Sequence, residues 1–181
     1  MKKYLFLSII VSILFSCDTP ENKQQSKAID FDKRLEELNI VLAAPSPALA
    51  NYVKTVRTGN LVFTAGHGPD KADGSRVTGR LGTDLSVEQG QEAARLTAIS
   101  LLSSLKAEIG DLNKVKRIVK VLGMVNSSPE FTDQSKVMNG FSDLMIEVFG
   151  DKGKHARSAV GMPTLPANWA IEIEMIVEIE E

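Results

Sequence analysis

The chain has 181 residues, 43% of them hydrophobic and 24% charged, with 13 glycines and 7 prolines, a balance that suits one globular domain of ordinary composition. Its 21 basic and 23 acidic residues leave a net charge of −2, which argues against a nucleic-acid partner, because neutralising a phosphate backbone takes clustered Lys and Arg. Cys17 is the only cysteine, so no disulfide forms within the chain and the domain beyond it holds no thiolate nucleophile.

In chain order, Lys2 and Lys3 precede an apolar run from Tyr4 to Phe15 that is short for a bilayer span, which takes ~20 residues. A positive n-region followed by such an h-region reads as an export signal over residues 1–16. The LFSC that ends it resembles a bacterial lipobox, in which Cys17 is lipidated and becomes the mature N-terminus. Residues 17–30 are polar, aperiodic and interrupted by Pro20, as a flexible tether would be. Together these features predict an exported protein, anchored by lipid to a membrane of the bacterial cell envelope on its periplasmic or surface side. The globular domain is then 31–181.

FDKRLEELNIVL predicts a short amphipathic helix with Leu35, Leu38 and Ile40 on its apolar side, and Pro45 and Pro47 force extended backbone after it. Two strand-like runs follow, with Tyr52, Val53 and Val56 in the first and Leu61, Val62 and Phe63 in the second, and Gly59-Asn60 between them is a hairpin signal. Residues 66–83 are dense in glycine and turn formers and predict a long loop. Ser86 and Gln89 form a capping box at the head of a helix whose stripe is Ala94, Ala98, Leu101, Leu102, Leu105 and Ile109, stopped by Gly110. VKRIVKVLGMV reads as a strand, and Ser128-Pro129 as the cap and first position of a second helix, with Val137, Phe141, Leu144, Met145 and Val148 as its stripe. HARSAVGM is a short strand. The last strand alternates Ile171, Ile173, Met175, Val177 and Ile179 with mostly acidic residues.

The order ββ-α-β-α-ββ predicts an α+β fold of two layers, a mixed sheet covered on one face by two helices. The opposite face of the last strand, with Glu172, Glu174 and Glu178 beside Ile176, then requires water, a partner subunit or a site. The TLPAN connection is expected to fold the last two strands back on each other and to bring Arg157 level with Glu172 or Glu174.

Arg157 sits among small and apolar residues in HARSAV. Its planar fork of donors matches a carboxylate, so it is either half of an ion pair with one of those glutamates, the commoner arrangement, or a clamp for a carboxylate ligand. Glu172 would serve as a general base if its face of the sheet were partly buried, because burial raises a carboxylate's pKa. His67 and His155 are the only histidines; without metal-ligand spacing they predict no metal site, and His67 reads either as a site contact in its loop or as loop packing. The glycines of 66–83 lack nucleotide-motif spacing. No cofactor is expected.

The stretches YVKTVRTGNLVFTAGHGP, VMNGFSDLMIEVFG and HARSAVGMPTLPANWAIEIE resemble the Rid/YjgF family of reactive intermediate deaminases, formerly described as L-PSP endoribonucleases. The GRLGTDLS loop resembles that of a branch whose activities are less defined. The resemblance implies a chorismate-mutase-like fold and a homotrimer with clefts between subunits. In such clefts an arginine, matched by Arg157, holds the carboxylate of a 2-imino or 2-enamino acid, and a glutamate, matched by Glu172, positions water. Tyr52 and Asn139 match cleft residues, and backbone groups at Gly66 and Ala159 complete the implied set. Ala159 stands where active deaminases usually carry cysteine, Ala65 where they often carry serine, and Gly161 where many carry an acid. The implied activity is hydrolysis of reactive imines to 2-oxo acids and ammonia, and the alternative is a non-catalytic module that binds or scavenges small carboxylates.

Overall fold

A computed structural model describes residues 30–48 and 50–180; the segments expected to be an export signal (1–16) and a tether (17–30), Cys17 included, lie outside the described residues except for Asp30. The first element, α1 (Phe31–Glu37), is capped by Asp30, whose carboxylate accepts from the amides of Asp32 and Lys33, and it buries Phe31 and Leu35. Phe31 meets Phe149 edge-on at 4.8 Å. The helix ends before the predicted Leu38 and Ile40, where Asn39 takes a left-handed φ of 56°.

Strands β1 (Thr55–Thr58) and β2 (Leu61–Thr64) pair antiparallel across Gly59-Asn60, with Gly59 at φ 56°, the conformation that a tight hairpin demands of its first central residue. Tyr52 and Val53 lie ahead of β1, outside the sheet. Helix α2 (Val87–Ile109) carries the predicted capping box and the predicted stripe, all of it buried, and ends at Gly110 with φ 79°. Strand β3 (Val115–Asn126) follows, then α3 (Gln134–Val137), α4 (Asn139–Phe149), β4 (Ala156–Met162) and β5 (Ile171–Ile179).

The second helix does not start at Ser128-Pro129. Ser127 donates its amide to the Met162 carbonyl and Ser128 to that of Leu81, at 3.0 Å each, and a turn closed by the Phe131 amide on the Ser128 carbonyl follows, so helix begins only at Gln134.

The sheet order is β1-β2-β5-β3-β4. All pairs are antiparallel except β3 and β4, which the α3–α4 crossover makes parallel. The expectation that β4 and β5 fold back on each other is therefore wrong, because β3 lies between them. The fully alternating β5 takes a central place, where both edges are paired and Ile171, Ile173, Met175, Val177 and Ile179 are all buried under the helices. The shorter β4 is left at the edge. Helices α2 and α4 cover one face only, as the sequence predicts.

The two helices approach so closely that a methyl at Gly140 would overlap the Gln91 carbonyl. Backbone cannot swing aside as a side-chain end can, so Gly140→Ala should cost about 1–3 kcal/mol, read as a lower urea midpoint at unchanged slope.

Candidate functional site

Arg157 lies opposite Val121 on β3, which in turn lies opposite Met175 on β5. Both neighbours are buried beneath the helices, so Arg157 projects from the sheet edge towards the helix layer. Its Nη1 donates to Asn139 Oδ1 at 3.2 Å and Ser142 Oγ at 2.9 Å, and its Nη2 to the Ser135 carbonyl at 3.1 Å. Among the described residues no carboxylate pairs with it. The ion pair with Glu172 or Glu174 does not form, since these two lie across β3 and belong to the opposite face, opposite Met124 and Leu122.

What positions Arg157 is a relay of neutral groups. His155 Nδ1 donates to the Gly153 carbonyl at 2.6 Å, which leaves Nε2 to accept from the Ser142 hydroxyl at 3.0 Å. The Ser142 oxygen then has lone pairs for Arg157. Burial pushes the His155 pKa down against the pull of the Gly153 carbonyl, and Arg157 lowers it further; the ring is neutral, and Phe141 meets it edge-on at 5.6 Å. The guanidinium thus keeps an unneutralised charge in a half-buried place, which is what an anion receptor requires. Ser142, His155 and the Ser135 carbonyl were not read from the sequence as site residues. The i, i+3 placement of Asn139 and Ser142 on α4, which puts both on one helix face, was the available signal.

Glu172 belongs to the open face, in register with Met124 and, through it, Val160. Its carboxylate lies where a methyl on Gly66 would be, so only glycine leaves it room. Gly66 is held in place because the adjacent His67 exchanges backbone hydrogen bonds with Ile173 at 2.9 and 3.0 Å. Burial, and then the neighbouring Glu174, raise the Glu172 pKa, whereas Glu178 on the same face bonds Lys116 at 2.6 Å and its pKa is lowered. Among the described residues no donor contacts the Glu172 carboxylate. His67 is a core pin rather than a site contact. It is 1% exposed, and its ring joins the Ala65 carbonyl at 2.8 Å to Ser104 of α2 at 2.7 Å.

The predicted residues fall into two separate clusters. Arg157 and Asn139 meet under α4 at the β4 edge, with Ala159 packed on the core from the same strand. Glu172 and Gly66 meet on the open face, and Tyr52, 43% exposed, lies just ahead of β1 at the far edge of the sheet. Four inter-strand steps of roughly 4.8 Å separate those edges, so Tyr52 cannot reach Arg157 of its own chain. The open face also exposes Val56, Phe63 and Val160.

The family model described as "YjgF/chorismate mutase-like, putative endoribonuclease" matches residues 32–179. The chain belongs to the Rid/YjgF family. It is 45% identical over 146 residues to Protein TCP17 of Trypanosoma cruzi, covering 80% of this chain and 91% of that protein. The Agrobacterium tumefaciens protein Atu1372, a crystal structure of unknown function, superposes with a TM-score of 0.77 at 43% identity over 83% of this chain and 94% of that one. A Shewanella oneidensis MR-1 structure, described as an endoribonuclease of the same tentative kind, superposes at 0.80 with 29% identity, over 83% and 100% of the two chains. The α+β architecture of this Rid/YjgF chain, one five-stranded sheet with helices on one face, is that of these neighbours.

Proposed function

We propose that this Rid/YjgF protein hydrolyses small 2-imino or 2-enamino acids to 2-oxo acids and ammonia at clefts between subunits of a homotrimer. The observation that carries the reading is a guanidinium held by neutral groups, with its charge left for an incoming carboxylate. Arg157 and Asn139 bind that carboxylate, and Glu172, together with Gly66 and Tyr52, comes from a neighbouring copy; Arg157 and Glu172 belong to opposite faces of the sheet in one chain, which supports this division. The exposed apolar residues of the open face favour such association. Export and a lipid on Cys17 belong to the same proposal and would put the activity in the cell envelope.

The chemistry is short. Water attacks the C=N carbon and passes a proton to Glu172. The imine nitrogen takes up a proton as water adds, the protonated Glu172 then gives its proton to the amino group of the resulting amino alcohol, and the C–N bond breaks as the hydroxyl returns a proton to the Glu172 carboxylate, releasing ammonia and leaving the 2-oxo acid. Neither step calls on the cysteine and serine side chains that alanine replaces at 159 and 65, since backbone groups there persist. The same two alanines favour a second reading, in which the clefts bind small carboxylates without turnover. Ribonuclease action fits poorly with the acidic balance.

The test is the rate of 2-oxo acid formation from freshly generated 2-imino acids with the full-length protein. Acceleration supports the enzyme; binding without acceleration across several amino-acid-derived imines leaves the binding module. If Glu172 is the base, activity is present above its folded pKa and lost as pH falls through it. Because that pKa is raised, the acid limb should lie above the ordinary carboxylate range and disappear in Glu172→Gln. Gly66→Ala displaces only the mobile end of a side chain, so stability should hold while kcat/KM drops ~10²-fold, the usual consequence of misplacing a reacting group by about 1 Å.

A further inference from the structure

Beyond the Arg157 cluster, a cavity of about 410 Å³ opens where the C-terminal ends of β3 and β4 meet the 80–85 turn. It shares no residue with the clusters around Arg157 and Glu172. Gly161, in its lining, is four residues along β4 from Arg157, about 13 Å of extended chain.

Among the described residues Arg80 is the only charged one that lines it. The tight turn fixes Arg80 from both sides: its carbonyl accepts from the amides of Asp84 at 2.8 Å and Leu85 at 3.1 Å, and its own amide donates to Asp84 Oδ2 at 2.9 Å. Its Nη2 donates to the Pro163 carbonyl at 2.8 Å. Among the described residues no carboxylate forms an ion pair with the guanidinium, and Asp84 is not part of the lining. Ser127 and Ser128 line the cavity with backbones pinned at 3.0 Å to Met162 and Leu81, while their hydroxyls have no partner among the described residues. Gly161 keeps this polar set open. A methyl there would come within 2.7 Å of Gln134 Nε2 and 2.8 Å of Ser127 Oγ, filling the space those groups face. The remaining lining is apolar, with Phe131, Met162 and Pro163 among it.

One fixed cation, two unclaimed hydroxyls, an amide and an apolar remainder make a receptor for an anion with a hydrophobic body. We propose that this cavity is a second, independent binding site for a small organic carboxylate, with Arg80 as its cation and Ser127 and Ser128 as its hydroxyl donors. The proposal does not depend on imine hydrolysis, so the test reads binding alone and is run where the first clamp is removed.

Full-length wild type and Arg157→Ala are titrated with phenylacetate while the backbone amide signals of Ser127, Ser128 and Gly161 are followed by NMR. The expected result is saturable shifts with the same apparent Kd in both proteins. Arg80→Gln should weaken binding at least about tenfold, the loss of one charge-assisted contact. Because that change also releases Pro163, Ser128→Asp serves as the second variant; it leaves the Arg80–Pro163 contact intact and supplies a competing carboxylate, with a similar loss expected. Inorganic phosphate should bind more weakly than phenylacetate. The proposal is overturned if no saturable shift appears, if the shifts vanish in Arg157→Ala, if both cavity variants bind like wild type, or if phosphate binds as tightly as phenylacetate.

Discussion

Replacing Arg157 by alanine should lower kcat/KM for imine hydrolysis by ~10²-fold, with little change in thermal stability. A carboxylate held by a guanidinium fork makes two charge-assisted hydrogen bonds, and losing them costs about 3 kcal/mol of transition-state stabilisation, which is that factor in rate. Stability should hold because Arg157 is only half-buried on an edge strand and bonds neutral groups, so its removal strands no buried charge. Arg157→Lys, which keeps the charge and loses the fork, should fall between, at about tenfold. An Arg157→Ala enzyme as fast as wild type would remove the clamp from the mechanism. A protein that unfolds instead would give Arg157 the structural role that its contacts do not suggest.

Phe141→Ala should be the most destabilising single change near the site, by about 3–5 kcal/mol, out of a total that for domains of this size is about 5–15 kcal/mol. Phe141 is fully buried on α4, one residue before Ser142, and it holds His155 edge-on. Its loss leaves a cavity between the helix and the sheet and loosens the ring that fixes the Ser142 hydroxyl. Denaturant unfolding measures the first effect. The second appears as weaker carboxylate binding under conditions where the variant is still folded. Phe141→Leu should recover most of the stability and less of the binding, because leucine fills volume but offers no flat face to the imidazole. A loss below about 1 kcal/mol would mean that the core closes over the gap.

The features that could be read before folding were local ones. The capping box at Ser86, the stop at Gly110, the hairpin at Gly59-Asn60 and the alternation of β5 each depend on residues within one turn or one strand, where spacing dictates which side chains share a face. The start of the second helix misled because Ser128-Pro129 is a good local cap, yet its backbone hydrogen bonds go to Leu81, and Ser127's to Met162, partners distant in sequence. His67 was ambiguous for a similar reason: its partner Ser104 lies 37 residues away.

The resemblance named Arg157, Glu172, Tyr52, Asn139, Gly66 and Ala159 as a set, but composition and spacing alone left Arg157 leaning towards an ion pair within the chain. What removed that pair was strand order. An eight-residue connection between β4 and β5 looks like a hairpin in one dimension, whereas the chain crosses the end of β3 instead. By itself the sequence determined that Glu172 and Glu174 share the face of β5 opposite its buried residues, because alternation has a period of two, and that two helices must cover the other face. Only the tertiary structure decided that Arg157 belongs to the helix side and is held by Asn139, Ser142 and Ser135, and that Glu172 is lodged against Gly66 with its pKa raised. Those are consequences of which strand lies beside which, a choice made by burying the fully alternating β5 at the centre of the sheet, and no local pattern contains it.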